Sequence, residues 1–274
     1  MENLKKVILV TGASAGMGME MARELQRDGN IVYGAARRIE RMENLRQFGV
    51  KIIPLDVTDD ASMINAINQI IKNEGRIDVL INNAGFGSYG AVEDVAINDA
   101  KYQLEVNVFG AARLMQLVLP YMREQQYGCI INISSIGGKF AMPLGGWYHA
   151  SKFAIEALSD SLRNEVAQFG IDVVVIEPGG VKSEWADIAG ENLMKVSGNT
   201  AYKNMAAKLM EGLRGRVAQM ASEPEVIVKL VKKAIYAKKP KTRYSGGFMA
   251  KPLLFLRGLL SDRLFDKLLM SQVK

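Results

Sequence analysis

The chain has 274 residues, 49% of them apolar, enough for one domain with a full core or one domain with a small appendage. A single cysteine excludes an internal disulfide and fits a reducing, cytoplasmic setting, and the absence of an uninterrupted 18-residue apolar run excludes a membrane span. The net charge of +6 is uneven: residues 223–274 carry 12 basic and 4 acidic side chains, the first 222 residues 23 and 25.

The start, Met1 to Val10, has lysines before a short apolar run, as a signal peptide does, but the run leads into a glycine turn and reads as a buried strand, Val7–Val10. Thr11-Gly12-Ala13-Ser14-Ala15-Gly16-Met17-Gly18 follows, then a helical pattern to Asp28 with Gly29 behind it. Strand, glycine turn and helix together suit a diphosphate: glycines let the backbone come close, and a helix N-terminus offers N–H donors. The spacing is Gly-x-x-x-Gly-x-Gly, and a plain tight turn is the alternative.

Ile31–Ala35 reads as a second strand, ending in Ala36-Arg37-Arg38. An NAD-binding chain places a carboxylate there for the adenosine ribose; here two guanidiniums stand ready for a 2′-phosphate. The expected cofactor is therefore NADP(H) rather than NAD(H); the alternative is two solvated arginines opening a helix, Ile39–Phe48. Val50–Val57 is a third strand, with Asp56 placed either to take a hydrogen bond from an adenine amino group or to cap the next turn. A helix over Ala61–Asn73 stops at Gly75, and a fourth strand, Asp78–Ile81, leads into Asn82-Asn83-Ala84-Gly85. Alternating strands and helices predict an α/β fold with a parallel sheet covered on both faces, whose ligands lie at the carboxyl ends of the strands.

A long helix is expected over Ala100–Gln126, with Asn107 amid Val106, Val108 and Phe109 as either a satisfied buried amide or a functional one. Ile130–Ser135 is a fifth strand ending in two hydroxyls, and Ser135 precedes Tyr148 by 13 residues, so a loop can bring the two together. Tyr148 and Lys152 share one face of a helix running to Phe169, and Tyr148 is the only one of nine tyrosines with a lysine four residues on. A cation beside a phenol favours phenolate and moves a pKa of about 10 towards neutrality, tuning the group for proton exchange with a carbonyl or alcohol. His149, the only histidine, points away from Tyr148 and reads as structural or exposed.

Asp172–Ile176 is a sixth strand, ending in Glu177-Pro178-Gly179-Gly180-Val181-Lys182-Ser183, a turn able to set backbone groups against a nicotinamide amide. Residues 184–222 lose strand periodicity and read as a lid. A helix from Glu225 to Lys238 and a short strand, Thr242–Ser245, complete residues 1–250 as one catalytic domain. Residues 251–274 form a basic, apolar helical extension with eight leucines and two phenylalanines between Pro252 and Met270. That extension packs over a cleft, contacts another subunit, or docks on a membrane surface.

Together these motifs resemble the short-chain dehydrogenase/reductase family over roughly residues 5–250: Thr11 to Gly18, Asn82 to Gly85, Asn107, Ser135, Tyr148-x-x-x-Lys152 and Pro178-Gly179, in the family's order and spacing. The C-terminal extension is similar to those of members acting on steroids, retinoids or other lipids. The resemblance implies a single Rossmann-type, doubly wound parallel sheet of about seven strands. It implies a tetrad in which Tyr148 is the acid/base, Ser135 holds the substrate oxygen, Lys152 binds the nicotinamide ribose and lowers the tyrosine pKa, and Asn107 positions a relay water. It also implies a cofactor site made of Gly12, Ser14, Gly16, Met17, Gly18, Arg37, Arg38, Asp56, Val57, Asn83, Ala84, Gly85, Tyr148, Lys152, Pro178, Gly179, Val181 and Ser183, the last standing where threonine is usual.

The expected activity is NADP(H)-dependent interconversion of a ketone or aldehyde and its alcohol, on a hydrophobic small molecule. An NAD-dependent alcohol dehydrogenase, a non-catalytic cofactor-binding protein and a membrane-surface protein are the alternatives. No metal and no nucleic-acid partner is expected, since the basic tail has no aromatic platform for base stacking. A homo-oligomer, dimer or tetramer, is expected through helices 100–126 and 148–169, in the cytoplasm or peripheral to a membrane.

Overall fold

The computed structural model describes residues 5–271. Seven strands form one parallel sheet: β1 (Val7–Thr11), β2 (Ile31–Ala36), β3 (Lys51–Pro54), β4 (Val79–Asn82), β5 (Gly128–Ile133), β6 (Ile171–Pro178) and β7 (Arg243–Gly246). Their order is β3-β2-β1-β4-β5-β6-β7, so the chain reverses its direction of travel across the sheet between β1 and β4, the place where such sheets open a ligand crevice.

The apolar strands are double-sided because both faces are covered. Val7 and Leu9 of β1 pack on one side with α3 (Asp60–Glu74), α5 (Gly110–Glu124) and α6 (Gly146–Val166). Ile8 and Val10 pack on the other with α1 (Gly16–Arg27), α2 (Glu43–Arg46) and α10 (Glu225–Tyr236). The two-residue period of a strand sends neighbours to opposite faces, which is why an unbroken apolar run is needed here.

Three expected elements differ. The helix expected over Ala100–Gln126 begins earlier, as α4 (Ile97–Leu104), and is interrupted by a π-helical turn, Glu105–Phe109, before α5. The helix expected over Ile39–Phe48 is a 3₁₀ turn, Ile39–Met42, followed by the single turn of α2. The lid region is helical: α7 (Trp185–Ser197), α8 (Lys203–Gly212), a second π-helical turn over Leu213–Val217, and α9 (Ala218–Met220). Small residues blur the helical period in α7, whose buried face is Ala189, Gly190, Leu193 and Ser197. Residues 251–271 form a helix pair, α11 (Ala250–Leu259) and α12 (Asp262–Met270).

Candidate active site

The carboxyl ends of β1, β4, β5 and β6 carry the glycine turn, Asn83 to Gly85, Ser135 and Pro178-Gly179 to one edge of the sheet. The glycine turn is held from below. Asn83 Nδ2 donates to the Thr11 carbonyl at 2.9 Å, and Thr11 Oγ1 accepts from the backbone N–H of Asn83 and Ala84, both at 3.0 Å. Gly12 and Gly16 have φ of 68° and 52°, a region that side chains avoid. A Cβ on Gly18 would stand 2.2 Å from the Gly12 carbonyl oxygen. No side chain caps α1, whose N-cap is Ala15, so its first N–H groups face the turn uncapped. Ser14 and Met17 are half-buried in this turn, and Ser183 lies against it: a Cβ on Gly16 would meet Ser183 Cβ at 3.4 Å. A cradle of bare backbone at a helix start suits a diphosphate.

Farther along the edge, Arg37 and Arg38 are exposed, and Arg37 Nη1 donates to the Tyr102 hydroxyl at 3.0 Å. Arg41 pairs with Glu184 at 3.2 Å, joining this region to the start of the segment 184–222. Asp56 makes the turn cap: its Oδ1 accepts from the Thr58 N–H at 2.9 Å and the Thr58 hydroxyl at 2.8 Å. Val57 is buried against Gly110. Gly179 has no room for a side chain, since a Cβ would stand 2.3 Å from the Phe248 carbonyl oxygen; Val181 bridges to Ser222, tying the turn to the end of the lid region.

The four side chains expected to form a tetrad meet around α6, which carries Tyr148 and Lys152. Ser135 follows β5; its Oγ accepts from the Gly137 N–H at 3.0 Å, lies 3.5 Å from the Pro178 carbonyl oxygen, and faces the Tyr148 phenol. Lys152 Nζ is buried and donates to the Ile133 carbonyl at 2.9 Å, lying 5.9 Å from the Tyr148 ring centre. Asn107 sits in the π-helical turn, a feature frequent at functional sites. Its amide is satisfied by the Phe86 N–H at 3.0 Å, the Phe86 carbonyl at 2.9 Å and Ser151 Oγ at 3.0 Å. Gly85 separates Asn107 from Lys152, with a Cβ position 3.0 Å from Asn107 Oδ1 and 3.8 Å from Lys152 Nζ.

The expected lowering of the tyrosine pKa is corrected by the protein groups present. Burial pushes the Tyr148 phenol up to about 12, with Ser135 pulling it back in part. Burial also pulls Lys152 down to about 8, against the field of Glu156. Desolvation disfavours any charged form, and Lys152 spends its hydrogen bond on a carbonyl rather than on the phenol. Tyr148 therefore carries its proton across the physiological range. His149 is structural: it is 4% exposed, and its Nδ1 is 2.9 Å from the Gly137 carbonyl, which can only accept, so Nδ1 bears the proton. Burial lowers its pKa, which keeps it neutral.

Two side chains absent from the sequence-based site complete it. Tyr89 and Trp185 flank Tyr148, with ring centres 5.7 and 5.2 Å away, and meet each other edge-on at 5.6 Å. The available signal was glycine: Gly87 lets Trp185 lie on the backbone, since a Cβ there would stand 2.6 Å from the indole. With Leu144, Leu193 and Met142 these rings form an apolar cluster around Tyr148. The tail packs nearby: Phe265 of α12 meets Phe140 edge-on at 5.2 Å in a neighbouring cluster, and Met270 packs against the cluster around Tyr148.

Comparison with known proteins places this site in context. A model of the short chain dehydrogenase family matches residues 6–193. A protein of Bacteroides thetaiotaomicron named 3-ketodihydrosphingosine reductase is 42% identical over 193 residues, 70% of each chain. A short-chain dehydrogenase from Streptomyces avermitilis superposes with a TM-score of 0.81 at 32% identity, covering 96% of this chain and 95% of its own. A serine dehydrogenase complexed with NADP+ gives 0.77 at 26% identity over 88% and 94% of the two chains. An NAD+-bound xylitol dehydrogenase gives 0.75 at 26% over 90% and 99%.

Proposed function

Because the chain belongs to the short-chain dehydrogenase/reductase family, an oxidoreductase family acting through nicotinamide cofactors, we propose that it reduces a hydrophobic ketone or aldehyde to the alcohol with NADPH. The observation that carries this is a buried, proton-bearing phenol, Tyr148, facing Ser135 and set within an apolar cluster. Ser135 orients the carbonyl oxygen by hydrogen bonding, and Tyr148 gives it the proton. Lys152, cationic below about pH 8, favours the phenolate left behind. Asn107 holds Phe86 and Ser151 in place beside them.

Gly12, Ser14, Gly16, Met17 and Gly18 would hold the diphosphate, Asp56 and Val57 the adenine, and Arg37 and Arg38 the 2′-phosphate. Asn83, Ala84, Gly85, Tyr148, Lys152, Pro178, Gly179, Val181 and Ser183 would hold the nicotinamide half. When bound, the cofactor supplies the hydride. The Bacteroides relative's name supports a ketone on a long alkyl chain, with steroids and retinoids as the other classes to test. Exposed Tyr102, Phe109, Phe153 and Leu158 on and between α4 and α6 support a homo-oligomer. Exposed Phe255, Leu259 and Leu264, beside Lys251, Arg263 and Lys267, support peripheral contact of the tail with a membrane. Among the described residues no helix is long and apolar enough to cross one. A cytoplasmic location is part of the proposal.

Fluorescence titration with NADPH and NADH tests the cofactor. Wild type is expected to prefer NADPH by at least about tenfold, or about 1.4 kcal/mol, and Arg37→Ala/Arg38→Ala to lose that preference. Equal or tighter NADH binding would instead favour NAD-dependent alcohol oxidation, the chemistry expected of a neighbour like the NAD+-bound xylitol dehydrogenase. Trp185→Ala tests whether this aromatic cluster receives the substrate. Losing an indole wall is expected to raise KM for a bulky lipophilic ketone by about tenfold or more, from the apolar contact removed, with little change for a small ketone. Equal effects on both substrates would place bulky ketones elsewhere.

A further inference from the structure

Tyr148, Lys152, Glu156 and Asp160 follow one another at four-residue spacing along α6, and so lie on one face of it. Two members of this line belong to no part of the tetrad. Glu156 is 4% exposed, and a carboxylate at that depth needs partners. Its Oε2 takes Lys139 Nζ at 2.7 Å and Arg243 Nε at 3.0 Å, and Arg243 Nη2 continues to Asp160 at 2.6 Å. Glu177, also buried, faces the same two cations at 3.7 and 3.5 Å. The second oxygen of Glu156 accepts no hydrogen bond among the described residues.

The partners come from three places that build the site. Lys139 directly follows the 3₁₀ turn Ile136–Gly138, whose N-cap is Ser135. Glu177 precedes Pro178 at the end of β6, and Arg243 opens β7. The turn lies hard on the line: a Cβ on Gly138 would stand 3.0 Å from Glu156 Cγ and 3.0 Å from the Lys152 carbonyl oxygen. Three carboxylates, Glu156, Glu177 and Asp160, stand among three cations, Lys139, Arg243 and Arg163, and Glu156 is the carboxylate one helical turn from Lys152.

We propose that Glu156 is a positioning residue for the reaction: it clamps the Ser135 turn onto α6 and keeps the buried Lys152 cationic. This rests on the reductase reading, in which the Lys152 cation assists Tyr148. The groups facing Glu156 are Lys139, Arg243, Glu177, Asp160 and Lys152; those facing Lys152 are Glu156 and the Tyr148 ring. Burial already lowers Lys152 to about 8, with Glu156 opposing. Removing the negative charge disfavours the cation further, so Lys152 loses its proton at lower pH.

The test is the pH profile of kcat/KM for ketone reduction with NADPH in the full chain. Wild type is expected to lose activity as pH rises through about 8. Glu156→Gln is expected to move that alkaline limb down by about one pH unit, and Glu156→Asp to restore most of it. If Glu156→Gln does not fold, Lys139→Met serves: removing a cation strengthens the carboxylate's field and moves the limb up. A folded Glu156→Gln with an unmoved limb, or an unmoved limb in Lys139→Met, overturns the proposal while leaving the reductase reading intact. A wild type that reduces no ketone overturns both.

Discussion

Tyr148→Phe is expected to cut kcat for ketone reduction by about 10²- to 10⁴-fold, the usual range for losing a general acid, with NADPH affinity within about twofold of wild type. The substitution removes one hydroxyl, the one that faces Ser135. It keeps the ring that packs against Trp185 and Tyr89 at 5.2 and 5.7 Å, so the aromatic cluster stays packed. Single-turnover and steady-state kinetics on the same ketone, with cofactor affinity by fluorescence, separate loss of chemistry from loss of binding. Tyr89→Phe is the control, because Tyr89 touches Tyr148 yet has no proton-transfer role here. Full activity in Tyr148→Phe would remove the phenol from the mechanism. A comparable loss in Tyr89→Phe would mean that the second phenol shares the work.

Gly18→Ala is expected to weaken NADPH binding by at least about 100-fold, or about 2.7 kcal/mol, for a single added methyl. That methyl would stand 2.2 Å from the Gly12 carbonyl oxygen and 2.5 Å from Asn83 Nδ2. The first neighbour is backbone and cannot rotate aside. The second is the amide that holds the turn to β1 and β4 through the Thr11 carbonyl. Relief therefore opens the turn that is to face the diphosphate. Gly212→Ala makes the contrast: a Cβ there meets nothing within 4 Å, so binding should be unchanged and helix propensity slightly improved. Titration with circular dichroism on the same samples checks both. Normal NADPH binding in a folded Gly18→Ala would move the diphosphate to another part of the sheet edge.

Arg37 and Arg38 stand between these two tests, because they concern which cofactor binds rather than whether one does. Both are exposed, so any phosphate they hold remains in contact with water, and the tenfold preference expected is modest for that reason. The Arg41–Glu184 pair places a carboxylate from the segment 184–222 in the same region.

Much of this protein was legible in its sequence because the deciding interactions are local or periodic. Val7 to Val10 reads as a doubly covered strand, since only burial on both faces tolerates four apolar residues in a row. Glycines at 12, 16 and 18 mark a turn where backbone must approach backbone, and the structure leaves no room there for a Cβ at 18. Tyr148 and Lys152 share a helical face by spacing alone, and a parallel sheet brings its strand ends to one edge. What only the tertiary structure decided depends on segments far apart in the chain. The π-helical turn at Glu105–Phe109 aims Asn107 at the Phe86 backbone, a choice that no local pattern records. Trp185 and Tyr89 meet across 96 positions because Gly87 leaves room for the indole. Burial, a property of the whole fold, reversed the expected tuning: the lysine next to the tyrosine pointed to a lowered phenol pKa, and desolvation raised it to about 12. Spacing along a helix says which groups can meet, while their distance from water sets the charge they carry when they do.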